Sequence, residues 1–294
     1  MSDLGWSVLA GFLLAAIISL AAWRAKALSS WGAAAAAALG TLIFGLGGFG
    51  WAIILIGFFV SSSALSRLAR RRKAALEEKF SKGSQRDAGQ VAANGGIAGV
   101  FVLLHVLFPA ALWPWAGFAG ALAAANADTW ATELGVLSRA APRLITSGRP
   151  VERGTSGGIT ALGVLAAVSG SLIIALLGVL FWQGRTLALS HAPGWLAYTL
   201  GSQASTISVK QGLAWLAWIT LCGLAGSLFD SLLGATVQAI YICPSCQKET
   251  ERHPNHTCGT PTILARGWSW MDNDWVNIFC TLAGAVLAFA AAIF

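Results

Sequence analysis

The chain has 294 residues, of which 56% are hydrophobic and only 11% charged. With a mean hydropathy of +0.69, that balance excludes a soluble globular protein and predicts an integral membrane one. The net charge of +7 gives no sign of a nucleic-acid partner, because no stacking aromatics are interleaved with the cations as a single-strand binder requires.

Apolar windows follow in chain order. The first, 4–22, starts beside Asp3 with no Lys or Arg and no polar region after it, so it reads as a retained span and not a secretory signal. The next, 32–63, is too long for one helix at about 1.5 Å rise per residue. Gly45, Gly47, Gly48 and Gly50 sit at its middle and suit a tight hairpin that needs positive φ. Further windows are 95–113, 115–127 extending to 137, 157–181, 211–240 and 275–294. Each approaches the length of about 20 residues that a span needs. The expected fold is therefore all-α: a polytopic helical bundle of about eight transmembrane helices, forming one membrane domain over 1–294, with a small loop at 241–270 between the last two spans.

With the N-terminus outside, the loops near 23–30, 64–94, 138–156 and 241–270 all face inward and hold 17 of the 19 Lys and Arg, as the positive-inside tendency expects. The site is then expected on the cytoplasmic face of a bacterial-type plasma membrane. The basic cluster 67–73 reads as a helical extension at anionic lipid, continued by Lys73 and Glu77 at i, i+4 spacing.

Polar residues concentrate in a few runs. In "KGSQRDAGQVAANGG", Arg86, Asp87, Gln90 and Asn94 recur at helical spacing just before a span; an ordinary amphipathic helix capped by Asn94 has the same pattern. "ANADTWATELG" ends an uncharged run with Asp128 and Glu133. These lie about 140° apart on an ideal helix, so both reach one ion only if the helix ends or bends, which Gly135 permits. An ionisable group in a span is a functional candidate; the alternative is that Asp128 pairs with a neighbouring Arg.

"SGRPVERGTSGG" precedes another span. Gly154, Gly157 and Gly158 let backbone amides approach an anion, and Arg143, Arg149 and Arg153 bring planar donor forks. It lacks the Gly-Lys-Ser/Thr ending of a Walker loop. Within the 211–240 window, Gly223, Gly226, Ser227, Asp230, Gly234 and Gln238 share one helix face. Small residues so spaced pack helices closely, but Asp230 on that face calls for a cation, either a metal or an Arg.

"CPSCQKETERHPNHTCG" supplies Cys243, Cys246, His256 and Cys258, which in a reducing cytoplasm read as a closed, structural zinc knuckle. His253 competes with His256, and redox chemistry at Cys243 and Cys246 is the other possibility. In "RGWSWMDNDWVN" the tryptophans suit a membrane interface, while Asp272 or Asp274 either caps the last helix or binds ligand.

The ordered set "AGQVAANGG", "NADTWATELG", "RGTSGG", "GSLFDSLLGATVQ", "CPSC" to "CGTPT" and "MDNDWVN" resembles the bacterial and plastid family of multi-spanning proteins that contains the plant phytyl-phosphate kinase. The match runs from about residue 20 to the C-terminus. That family is distantly similar to CTP-dependent polyprenol and dolichol kinases and to CDP-diacylglycerol synthases, whose Gly-Asp-Thr-x-Ala run is echoed by Asp128, Thr129 and Ala131. Two departures stand out: Ala127 replaces the Gly before the Asp, and the kinases' Lys-Thr-x-Glu-Gly-Thr run survives only as Gly154 and Thr155.

The resemblance implies transfer of the γ-phosphoryl group of CTP to a phytyl, geranylgeranyl or farnesyl monophosphate at the membrane. It would place catalytic Mg²⁺ on Asp128, Glu133 and Asp230, and phosphate or nucleotide contacts on Arg86, Gln90, Asn94, Thr129, Arg143, Arg153, Gly154, Thr155, Ser156, Gly157 and Gly158. Two rivals use the same parts: a cytidylyltransferase that releases pyrophosphate, and a transporter of anionic solutes or lipids.

Overall fold

A computed structural model of the protein describes residues 3–73, 85–189 and 208–293. Among the described residues there are eight helices: α1 (Asp3–Arg24), α2 (Ser30–Gly47), α3 (Phe49–Lys73), α4 (Ala88–Leu107), α5 (Trp113–Gly135), α6 (Ala161–Leu189), α7 (Val209–Thr236) and α8 (Asn273–Ile293). Among the described residues seven are long and apolar enough to cross a membrane, all except α5. The Gly-rich window divides as expected. Gly48 takes φ 80° between α2 and α3, a conformation that glycine adopts without strain. Glu77 of the expected Lys73–Glu77 pair lies outside the described residues.

The bundle is built around α5. Pro114 to Ala127 are buried without interruption, which explains the run of alanines and glycines: only small side chains let neighbouring backbones approach on every side. The neighbours answer with glycines. A Cβ at Gly226 of α7 would lie 2.6 Å from Ala124 Cβ, one at Gly284 of α8 2.6 Å from the Gly120 carbonyl oxygen, and one at Gly170 of α6 2.9 Å from the Asn126 carbonyl oxygen. The small-residue face expected on α7 is thus a packing face. Polar bonds cross the same contacts: Asn126 Nδ2 donates to the Gly170 carbonyl at 2.8 Å, and Ser61 of α3 donates to Asn126 Oδ1 at 3.0 Å.

Several element boundaries differ from the expected windows. Helix α4 begins at Ala88, capped by Asp87 in a reciprocal capping box with Gln90; Asn94 lies inside the helix, its amide donating to the Gln90 carbonyl. The polar residues Gln90 and Asn94 are thus part of the span, whereas hydropathy alone opens it at Gly95. Helix α6 starts only at Ala161, after a loop carrying the two-residue strands β1 (Arg143–Leu144) and β2 (Gly158–Ile159). Between α7 and α8, strands β3 (Ile240–Cys243), β4 (Lys248–Thr250) and β5 (Ile263–Arg266) form a sheet in the order β4-β3-β5.

Candidate functional site

The polar motifs, far apart in sequence, meet at one end of the bundle. They line a cavity of about 340 Å³, walled by the starts of α4, α6 and α8, the ends of α3, α5 and α7, and the 154–160 loop. Of the predicted residues, Arg86, Gln90, Asn94, Asp128, Thr129, Glu133, Gly154, Thr155, Ser156, Gly157, Gly158 and Asp230 all line it.

Two predicted phosphate ligands stand outside the lining. Arg143 donates to the Gly148 carbonyl at 2.8 Å, and Arg153 donates to the Ser138 carbonyl at 2.8 Å. Both guanidinium groups brace the loop that carries them, and residues 154–160 of the same loop line the cavity instead. That loop is seated on α7: a Cβ at Gly157, whose φ is +85°, would lie 2.5 Å from the backbone nitrogen of Ala235. Glycine is required there on both counts.

Charge and helix polarity divide the cavity. On one side Asp128 and Asp230 lie about two turns before the C-terminal ends of α5 and α7, so the preference for cations there comes from the carboxylates themselves. The starts of α4, α6 and α8 are N-terminal, where anions are favoured. Asp87 caps α4, and Asp272 caps α8, accepting from Asp274 N at 3.0 Å and Trp275 N at 3.2 Å. The start of α6 is different. Its cap is the neutral Thr160, whose hydroxyl accepts from Gly163 N at 3.0 Å, and it is the α6 start that adjoins the glycine loop. Of the alternatives for Asp272, capping is the one observed.

The carboxylates sort into two groups. Asp128 and Glu251 both bear electrostatically on Asp230, and Glu251 Oε1 accepts from Ser156 Oγ and Gln238 Nε2, each at 2.9 Å. Glu133 belongs to another neighbourhood: its Oε1 accepts from Ser66 Oγ at 2.9 Å, and its charge acts on Arg86. Asp128 and Glu133 therefore line one cavity but face different partners, as their separation around the helix requires. Four carboxylates and one guanidinium, that of Arg86, line the cavity, an excess of negative charge suited to cations.

Arg86 is fixed by its backbone. Its amide donates to the Ala27 carbonyl at 3.0 Å and its carbonyl accepts from Ser29 N at 3.0 Å, while the guanidinium lies 5.5 Å from the centroid of Phe58. Burial lowers it from the ordinary arginine value to about 10, with Glu133 acting in the opposite sense, so it stays cationic at neutral pH.

Beside the cavity, the β4-β3-β5 sheet gathers Cys243, Cys246, His256 and Cys258, whose ligand atoms lie within 4.8 Å of one another. Tetrahedral zinc with bonds of about 2.3 Å separates its sulfurs by roughly 3.8 Å; the Cys243 and Cys258 sulfurs are 3.6 Å apart. The four residues fit such an ion. Within the cluster the Cys258 thiol is pulled down to about 5 by hydrogen bonds with Thr260 and then His256, while Cys246 is pushed up to about 11 by its hydrogen bond with Cys258, so one thiolate of the kind a metal needs is favoured and the others must give up protons on binding. His253 stacks on Tyr241 at 4.5 Å, which resolves its competition with His256. Glu251 follows β4 directly, so the cluster holds the loop that brings this carboxylate to the cavity.

Residues 13–285 match the family described as integral membrane protein DUF92. The chain belongs to the DUF92 family. It is 31% identical over 300 residues to Protein PGR of Arabidopsis thaliana, covering 96% of this chain and 95% of that one. It is 30% identical over 223 residues to the uncharacterized membrane protein MJ0933 of Methanocaldococcus jannaschii, covering 76% of this chain and 80% of the relative. The uncharacterized membrane protein sll0875 of Synechocystis is 26% identical over 266 residues, with 90% and 82% covered. No solved structure matches this DUF92 chain. Its expected nature as an integral membrane helical protein thus agrees with both fold and family.

Proposed function

We propose that this DUF92 protein is a kinase that transfers the γ-phosphoryl group of CTP to an isoprenoid monophosphate, of phytyl, geranylgeranyl or farnesyl type, at the cytoplasmic membrane face. The observation that carries this reading is the division of one cavity into a carboxylate-rich side on α5 and α7 and a glycine-loop side at the start of α6. A metal-bound triphosphate needs both.

Asp128 and Asp230, with Glu251, offer the hard oxygen donors that Mg²⁺ prefers, and the ion would supply neutralisation of phosphate charge there. Glu133 serves instead as the counter-charge of Arg86. The loop from Gly154 to Gly158 and the α6 N-terminus bind phosphate through backbone N–H groups, while Thr129 and Ser156 add hydroxyls at the cavity wall. Gln90 and Asn94 bind and orient the lipid phosphate beside Arg86.

A phosphate oxygen of the lipid attacks the γ-phosphorus, the bond from that phosphorus to the β-bridging oxygen breaks, and CDP leaves with the electron pair. The nucleophile is already anionic, so no strong protein base is required; positioning and charge neutralisation carry the reaction. The resemblance to CTP-dependent lipid kinases selects the base.

The test is incubation of the purified protein with CTP, Mg²⁺ and a panel of prenyl monophosphates, followed by identification of both products. Prenyl diphosphate with CDP is expected. Pyrophosphate with a CDP-lipid would assign attack at the α-phosphorus and overturn the kinase reading, and no nucleotide turnover with any lipid would overturn both.

A further inference from the structure

A second cavity lies between α1, α2, α3 and α4. Its walls are apolar apart from Ser19 and one end, where Arg86, Gln90 and Asn94 line it. Those same three residues line the polar cavity. The two spaces therefore share a boundary, and the half-buried Arg86 stands on it.

We propose that this apolar cleft holds the hydrocarbon chain of a lipid monophosphate, with its phosphate seated at the boundary formed by Arg86, Gln90 and Asn94. This rests on the lipid-phosphate reading above and adds the place of the chain. Charge complementarity selects the occupant. An apolar slot ending in one fixed cation and two amides matches an anionic head on a single hydrocarbon tail; a neutral lipid makes no use of the guanidinium at the slot's end, and a free phosphate leaves the slot unfilled.

Depth agrees. On α1 the cleft runs from Ala22 to Gly11, about 16 Å at 1.5 Å rise per residue, close to half of a hydrocarbon core about 30 Å thick. The slot thus has the reach of one leaflet. Phe44 on α2 lies against Gly11 and closes the far end. Among its neighbours, Phe58 supports Arg86 from below, joining the apolar wall to the cationic seat.

The experiment is photolabelling of the full-length protein with a geranylgeranyl monophosphate bearing a diazirine at the chain terminus, and mapping of the label by peptide mass spectrometry. Label is expected on α1 and α2 at Leu14, Ala36 or Phe44. It should be competed by unlabelled geranylgeranyl monophosphate but not by geranylgeraniol or inorganic phosphate. Ala36→Trp, which fills the slot, should lower labelling at least tenfold while leaving binding of Mg·CTP unchanged; Phe59→Ala, which enlarges it, should retain labelling. Label on α5 to α8, no label, or equal competition by the free alcohol would overturn the placement, whereas label on the cleft residues of α3 or α4 agrees with it. Labelling in the slot without formation of CDP would leave the placement standing and sink the kinase reading, so the two fail separately.

Discussion

The Ser66 hydroxyl donates to Glu133 Oε1 at 2.9 Å, tying the end of α3 to the end of α5 beside the only guanidinium in the described cavity lining. This bond fixes the carboxylate that balances Arg86. Ser66→Ala removes a hydrogen bond to a charged group, an effect of about 1.5 kcal/mol or roughly tenfold in kcat/KM. Steady-state kinetics on the purified variant measure it, and an unchanged kcat/KM would remove Ser66 from the support of the site.

Arg86→Gln is expected to raise KM for the prenyl monophosphate at least tenfold with a smaller change for CTP. Because burial sets Arg86 at about 10, the wild type keeps its cation below that value and loses it above. Lipid-phosphate binding should therefore be flat from about pH 7 to 9 as far as this group is concerned and weaken as pH rises through about 10. A binding titration across that range shows it: the wild type should lose its advantage over Arg86→Gln as pH rises through about 10, and an advantage kept undiminished above that value would contradict the assignment.

Asn126 carries no chemistry, yet it bridges α3 and α6 within the bundle. Interhelical hydrogen bonds in membranes contribute about 0.6 to 1.7 kcal/mol. Asn126→Ala should lower Tm in detergent by several degrees while KM stays unchanged. An unaltered Tm would show that these two bonds contribute no net stability.

Purified protein should contain one zinc per chain. Cys243→Ser should abolish it, since an intact four-ligand set is what closes the site. Glu251 sits on the loop the cluster holds, so turnover should fall along with zinc content, and a fully active zinc-free variant would separate the knuckle from the catalytic end. Metal analysis beside activity reads both.

The sequence made the helices legible because apolar runs of spanning length leave few alternatives, and Gly48 marked the α2–α3 turn through the conformation only glycine takes easily. The zinc ligands were legible because short spacings among cysteines are a local property. Glu251 was not singled out: within "KETERH" it resembles a solvated charge, and its partners Ser156 and Gln238 come from distant segments. Arg143 and Arg153 misled for the opposite reason. Their residue type suits phosphate, but loop spacing does not fix where a long side chain points, and both turn to backbone carbonyls. The α4 boundary was hidden because Gln90 and Asn94 lower the hydropathy of residues that are helical nonetheless.

The most direct measurement follows CTP labelled in its γ-phosphate, with Mg²⁺ and geranylgeranyl monophosphate, through wild type and Asp128→Asn. Label in the lipid diphosphate from the wild type, falling at least a hundredfold in the variant at an unchanged Tm, is the predicted result. Absence of label from the lipid, or equal transfer by Asp128→Asn, would contradict phosphoryl transfer at this cavity.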